Sequence, residues 1–154
     1  MTISRREALA GLASAPFAGS LSTAQAATMQ TGDRFDPWLE IDAAAFAGNV
    51  QTISKLAGGR PILAVIKNNA YGLGLTTVAP ILAPRPEIAG FAVVKTAEAI
   101  ALRDAGITKP ILLLGLFAED DGPELAKRGI QFSVCTDDAA ARIERAGNAA
   151  GVRP

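Results

Sequence analysis

Four short apolar runs recur along the chain: ILAVI (residues 62–66), GFAVV (90–94), ILLLG (111–115) and IQFSVC (130–135). The stretches between them carry helical spacing, so the apolar period switches from strand to helix and back. Neighbouring strands separated by helices form a parallel sheet, because a parallel pair needs a crossover connection of a dozen or more residues. The runs alternate little between apolar and polar residues, which predicts strands buried on both faces.

The helices are punctuated locally. Asp42 stands where an N-cap belongs, and Phe46, Val50, Ile53 and Leu56 follow on one helical face before Gly58-Gly59 stops it. Residues 75–83 read as a helix ended by Pro84 and Pro86, and Thr96 is the expected cap of a helix running to Gly106. Residues 121–128 form a short helix closed by Gly129, and Thr136 or Asp137 caps DDAAARIERAG. Trp38-Leu39-Glu40-Ile41 reads as one further short strand at the start. Two α/β architectures satisfy this rhythm, an open doubly wound sheet and a (β/α)8 barrel. A complete barrel takes roughly 31 residues per unit, so the chain after residue 26 holds about four βα units.

Function concentrates at the C-terminal ends of strands in such folds. Lys67 stands at one, directly after ILAVI, and Asn68-Asn69-Ala70-Tyr71-Gly72-Leu73-Gly74 follows it. An amine held at the rim of an apolar strand is suited to attack a carbonyl and form a Schiff base. A glycine-containing turn before a helix start suits a phosphate. Gly72-x-Gly74 lacks the third glycine of a dinucleotide fingerprint, which argues against a nucleotide-binding module.

AVIKNNAYGLG resembles the pyridoxal-phosphate lysine motif of the alanine racemase family, A-V-[VI]-K-[AN]-[ND]-A-Y-G-H-G, with Leu73 in place of its histidine. WLEIDAAAFAGNV resembles the family's opening strand and first helix. GFAVVKTAEAIALRDAGITKPILLLG and QFSVCTDDAAARIE resemble its next strands and helices, so the likeness covers residues 38–154. It implies an α/β fold, a parallel TIM-type (β/α)8 barrel of which about the first four βα units are present. It also implies pyridoxal 5'-phosphate as cofactor, Lys67 as its Schiff-base lysine and as a base on one face of the substrate, and Tyr71 near its phosphate. The implied activity is amino-acid racemisation, an isomerase reaction with alanine as the default small substrate. A second, mainly β domain and a head-to-tail homodimer are implied for the full-length enzyme. The family's second base is a tyrosine of that later domain, and the single tyrosine here is Tyr71. The 154 residues alone are therefore expected to be an inactive N-terminal part, at most a non-catalytic chain that binds the cofactor. Other barrel enzymes of this cofactor, a decarboxylase or a D-amino-acid aldolase or dehydratase, are the alternative activities.

Composition removes several classes. There is no histidine, which excludes Ser-His-Asp and Cys-His nucleophile systems and His-containing metal sites within these residues, and no metal is expected. Lys+Arg and Asp+Glu each number 15, so the charge balance gives no reason to expect a nucleic-acid partner. The one cysteine, Cys135, has no partner for an intrachain disulfide and reads as a small core residue. Lys95 ends the second run without further support for a role. The acidic pairs Asp120-Asp121 and Asp137-Asp138 each open a helix, where negative charge complements the dipole.

The first 26 residues have the layout of an export signal: Arg5 and Arg6, an Ala- and Gly-rich apolar stretch from Ala8 to Leu21, then Ala24-Gln25-Ala26 as a cleavage site. The paired arginines resemble a twin-arginine signal. The mature chain is then expected to start at Ala27 and to be periplasmic, with 27–37 a polar linker and no permanent membrane span.

Overall fold

The computed structural model describes residues 38–153. The expected signal segment and linker lie outside them. Residues 39–153 form one compact unit. The element order is α1 (Ala43–Leu56), β1 (Ile62–Val65), a single turn α2 (Lys67–Tyr71), α3 (Leu75–Leu82), β2 (Ile88–Val93), α4 (Thr96–Asp104), β3 (Ile111–Leu113), a 3-10 turn (Glu119–Asp121), α5 (Gly122–Lys127), β4 (Ile130–Phe132) and α6 (Ala139–Ala150). The strands make one sheet in the order β1-β2-β3-β4, and every pair is parallel. Chain order and spatial order coincide, as along a barrel wall; a doubly wound sheet reverses its order at a switch point.

The register separates two faces. Ala64, Phe91 and Ile111 lie side by side across β1, β2 and β3, and Ile111 pairs with Ile130 of β4. These residues point to the helix-covered side, where Phe91, Val93, Ile111, Leu113, Leu102 and Leu125 are fully buried. On the other face Val65, Ala92, Leu112 and Gln131 are neighbours. Gly90 belongs to that face, and a Cβ there would sit 2.7 Å from the Pro110 carbonyl oxygen, so the glycine allows β2 and β3 to approach.

Burial on both strand faces holds for most of β2 but fails for β1, where Leu63 and Val65 are 44% and 41% exposed. β1 is an edge strand, and its second face meets no covering layer among the described residues. The same geometry limits α1. Val50 is buried and Phe46 half-buried, whereas Ile53 and Leu56 are exposed although they belong to the expected apolar face. An apolar groove of about 330 Å³ runs between α1, β1 and α3, lined among others by Phe46, Val50, Ile62, Leu73 and Leu82.

Four local expectations are corrected. Residues 38–41 form no strand, since no strand among the described residues stands beside them to share hydrogen bonds. The fourth strand stops at Phe132; the ladder ends with Ser133 N–H donating to Leu113 O at 3.2 Å, and Val134 and Cys135 are exposed. Cys135 is therefore a surface thiol. Helix α4 begins one residue earlier than a Thr96 cap requires, with Lys95 at the N-cap. Helix α6 is entered from Asp138, and the Thr136 hydroxyl is spent on the Asp138 carboxylate at 2.7 Å.

The N-cap of α1 is as expected: Asp42 Oδ1 accepts from Ala44 N at 2.8 Å and Ala45 N at 3.1 Å. Asp42→Ala is expected to lower stability by about 1 kcal/mol, read from the urea unfolding midpoint. The N-terminal rim of the sheet is tied by two long cations. Arg103 donates to the carbonyls of Ile107, Lys109, Arg128 and Gly129, and Lys109 Nζ donates to those of Arg85 and Ile88.

Candidate active site

Lys67 follows β1 at the opposite, C-terminal rim. Ile66 N–H donates to Ala92 O at 2.9 Å, which carries the β1–β2 ladder one residue past the strand, and the Ile66 side chain is buried. Lys67 is thus anchored from behind while its own side chain is half-buried.

The backbone then does something unusual. Asn68, Asn69, Ala70 and Tyr71 all have positive φ, between 53° and 56°, so the segment is one turn of left-handed helix. Asparagine accepts that region; Ala70 and Tyr71 pay about 1–2 kcal/mol each for it. A closed set of hydrogen bonds holds the turn. Ala70 N–H donates to Ile66 O at 2.9 Å, Gly72 N–H to Asn68 O and Asn69 O at 3.1 Å, and Gly74 N–H to Asn69 O at 2.9 Å. The Asn69 side chain accepts from Leu75 N–H at 2.8 Å, joining the turn to the start of α3. Ala70 is 2% exposed and sits in the core. The turn also receives support from the neighbouring βα unit, where Glu98 of α4 accepts from Asn69 N–H at 2.9 Å.

This arrangement revises the expected phosphate cradle. The amides of Ala70, Gly72, Leu73, Gly74 and Leu75 all donate within the protein. They form no open nest for an anion, and Asn69 occupies the first amide of α3. The turn presents Tyr71, which is 62% exposed, beside the exposed Asn68. A tyrosine serving as packing would be covered. Lys67 and Tyr71 therefore open and close one rigid turn at the strand rim, an amine and a phenol four residues apart. An amine able to bond a carbonyl fits the aldehyde end of a pyridoxal phosphate, and an exposed phenol fits its phosphate as a hydrogen-bond donor; the turn's backbone offers that phosphate no open cradle.

Glu98 was not singled out in the sequence. Its signal was a glutamate three residues after Lys95, the second half of a capping box, obscured because Thr96 looked like the cap. Asp138 of the second acidic pair, and Glu119 beside the first, are engaged in surface ion pairs. The Asp138 carboxyl is held below its ordinary range first by the Thr136 hydroxyl and then by Arg142, 2.6 Å away. Glu119 is held low by its bond to Arg145. Among the described residues no cluster of ligating side chains could hold a metal ion.

Comparison with known proteins agrees with this geometry. Residues 41–153 match the family model described as alanine racemase, N-terminal domain. The alanine racemase of Fusobacterium nucleatum is 41% identical over 97 residues, covering 63% of this chain and 27% of that protein. The alanine racemase of Limosilactobacillus fermentum is 39% identical over 116 residues, 75% of this chain and 31% of that protein. Among solved structures, alanine racemase from Clostridium difficile 630 in complex with cycloserine superposes with a TM-score of 0.62 at 32% identity, over 71% of this chain and 29% of that one. Histidine racemase from Leuconostoc mesenteroides gives a TM-score of 0.61 at 28% identity over 71% of this chain and 28% of that one. The chain spans about three-tenths of the length of the curated relatives it matches.

Proposed function

The chain belongs to the alanine racemase family, and on that premise we propose that it forms the cofactor-lysine part of a pyridoxal-phosphate-dependent amino-acid racemase. The observation that carries the reading is the position of Lys67, anchored at a strand's C-terminal rim and followed by a rigid left-handed turn, inside the stretch matched to the family. Bound pyridoxal phosphate supplies an electron sink for the carbanion formed at the substrate Cα. Lys67 Nζ would hold the cofactor covalently, and the Lys67 amine would act as the base for the Cα proton on one face. Tyr71 would hold the phosphate by donating a hydrogen bond from its phenol. Inversion needs a second proton donor on the opposite face, and Tyr71, on the same turn as Lys67, is not placed for it; we assign that role to residues outside this chain.

The substrate is a small amino acid with alanine first, and the structural likeness to a histidine racemase makes larger side chains worth testing. The longer enzyme incubated with L-alanine in deuterated water should yield D-alanine carrying deuterium at Cα. Release of carbon dioxide without the D-enantiomer would replace racemisation by decarboxylation. Tyr71→Phe should weaken pyridoxal phosphate binding about tenfold, the worth of one hydrogen bond to a charged group, and leave pyridoxal binding unchanged. Equal losses for both ligands would remove Tyr71 from the phosphate site.

Arg5-Arg6 and Ala24-Gln25-Ala26 support export by the twin-arginine route with a mature start at Ala27, and the working assembly we propose is a homodimer. The N-terminal mass of periplasmic protein tests the first. A mature chain that still carries Met1 would sink it. No helix among the described residues is long and apolar enough to cross a membrane.

A further inference from the structure

Glu98 is the one charged residue that is buried among the described residues, at 8% exposure. A buried carboxylate is costly unless its oxygens are satisfied. Both are: Oε1 accepts from Asn69 N–H at 2.9 Å, and Oε2 accepts from Lys95 N–H at 3.3 Å. The two donors belong to different βα loops, one after β1 and one after β2. The carboxylate therefore bridges consecutive loops at the rim where Lys67 stands, through the second residue past that lysine. Asn69 is also the residue on which the turn's other bonds converge, through its carbonyl and its side chain.

We propose that Glu98 is a positioning residue for Lys67: its carboxylate clamps the strained left-handed turn to the second βα loop and so fixes the direction of the reactive amine. The inference rests on the reading of Lys67 as the cofactor lysine. The strain makes the clamp necessary. Four consecutive non-glycine residues with positive φ relax toward right-handed conformations unless the surroundings over-determine them. A charge-assisted bond to the Asn69 amide, made in a buried setting, opposes that relaxation. The chemistry also explains why the group is a glutamate. Two N–H donors face it, and a carboxylate accepts with both oxygens. A glutamine turns an NH2 toward one of the two amides and meets a donor with a donor.

The test uses the full chain, with Glu98→Gln and Glu98→Asp beside the parent. Amide hydrogen exchange of the free protein reads the clamp directly. Exchange at Asn69 is expected to rise about tenfold or more in Glu98→Gln while the β2 and β3 amides stay protected. Pyridoxal phosphate followed by borohydride reduction, with peptide mapping, reads the consequence: the share of label on Lys67 relative to exposed Lys95 should fall about tenfold in Glu98→Gln. Glu98→Asp, which keeps two acceptors on a shorter stem, should recover part of that share. A loss of fold without a directional role would raise exchange throughout the sheet. Unchanged exchange at Asn69 and unchanged labelling in both variants would overturn the proposal. Equal labelling of Lys67 and Lys95 in the parent, together with the expected rise in exchange, would instead sink Lys67 as the cofactor lysine and leave the clamp in place.

Discussion

Lys67→Ala is expected, on the proposed reading, to abolish the specific capture of pyridoxal phosphate and to lower racemisation by about a thousandfold or more. The expectation follows from what the side chain must do twice. On the proposed reading its Nζ would hold the cofactor covalently, and the same nitrogen would serve as the base for the Cα proton. The other lysine that ends a strand at this rim among the described residues, Lys95, is exposed and belongs to the next loop. Lys67→Arg is expected to fail almost as completely, because a guanidinium does not lose its proton and cannot form the bond. Neither substitution touches the core, since Lys67 is half-buried and follows the strand. Thermal melting should therefore stay within a few degrees of the parent. Mass analysis after borohydride reduction distinguishes the outcomes. Undiminished cofactor retention in Lys67→Ala, with the label moved to another lysine, would transfer the role to that lysine.

The second large effect is thermodynamic. Phe91→Ala is expected to cost about 3–5 kcal/mol, against the roughly 5–15 kcal/mol that holds a domain folded. Phe91 lies in the middle of β2 between Ala64 of β1 and Ile111 of β3, and it is fully buried. Its backbone is held by donation to Pro110 O at 2.9 Å, so the strand cannot easily collapse into the vacated space. Phe91→Leu keeps most of the volume and should cost less than about 1.5 kcal/mol. Urea midpoints compared at equal slope provide the measurement. A loss under about 1 kcal/mol for Phe91→Ala would mean that the helix layer closes onto the sheet far more freely than the packing suggests.

The parallel sheet was legible because its signals are additive. Four apolar runs, two proline stops after residue 83 and glycines 58, 59, 106 and 129 all point the same way, and those glycines take the positive φ their positions demand. The stretch AVIKNNAYGLG was legible as a motif of the family that residues 41–153 match. The left-handed turn between them was not: two asparagines and a glycine suggest a turn, whereas Ala70 at φ 53° runs against its own preference and is set by tertiary contacts. Glu98 was hidden for the same reason, since its partner Asn69 lies 29 residues away. Misreadings gathered at the sheet edges. Trp38–Ile41, the exposed half of α1 and the tail of the fourth run are apolar in sequence, but apolarity alone does not say which neighbour will cover a residue. Cys135 was assigned to the core on that ground and lies outside it.

The two rims of the sheet differ in how they can be changed. At the N-terminal rim, Arg103 and Lys109 engage the carbonyls that precede β2, β3 and β4, and none of these bonds involves Lys67. That rim is available for thermal tuning: variants selected for heat tolerance can accumulate around Arg103 without passing through altered chemistry. The opposite rim has no such freedom, because a single glutamate is shared by two loops. Diversification of this scaffold toward new substrates is accordingly expected to enter through residues outside the Lys67 turn, with the turn inherited whole.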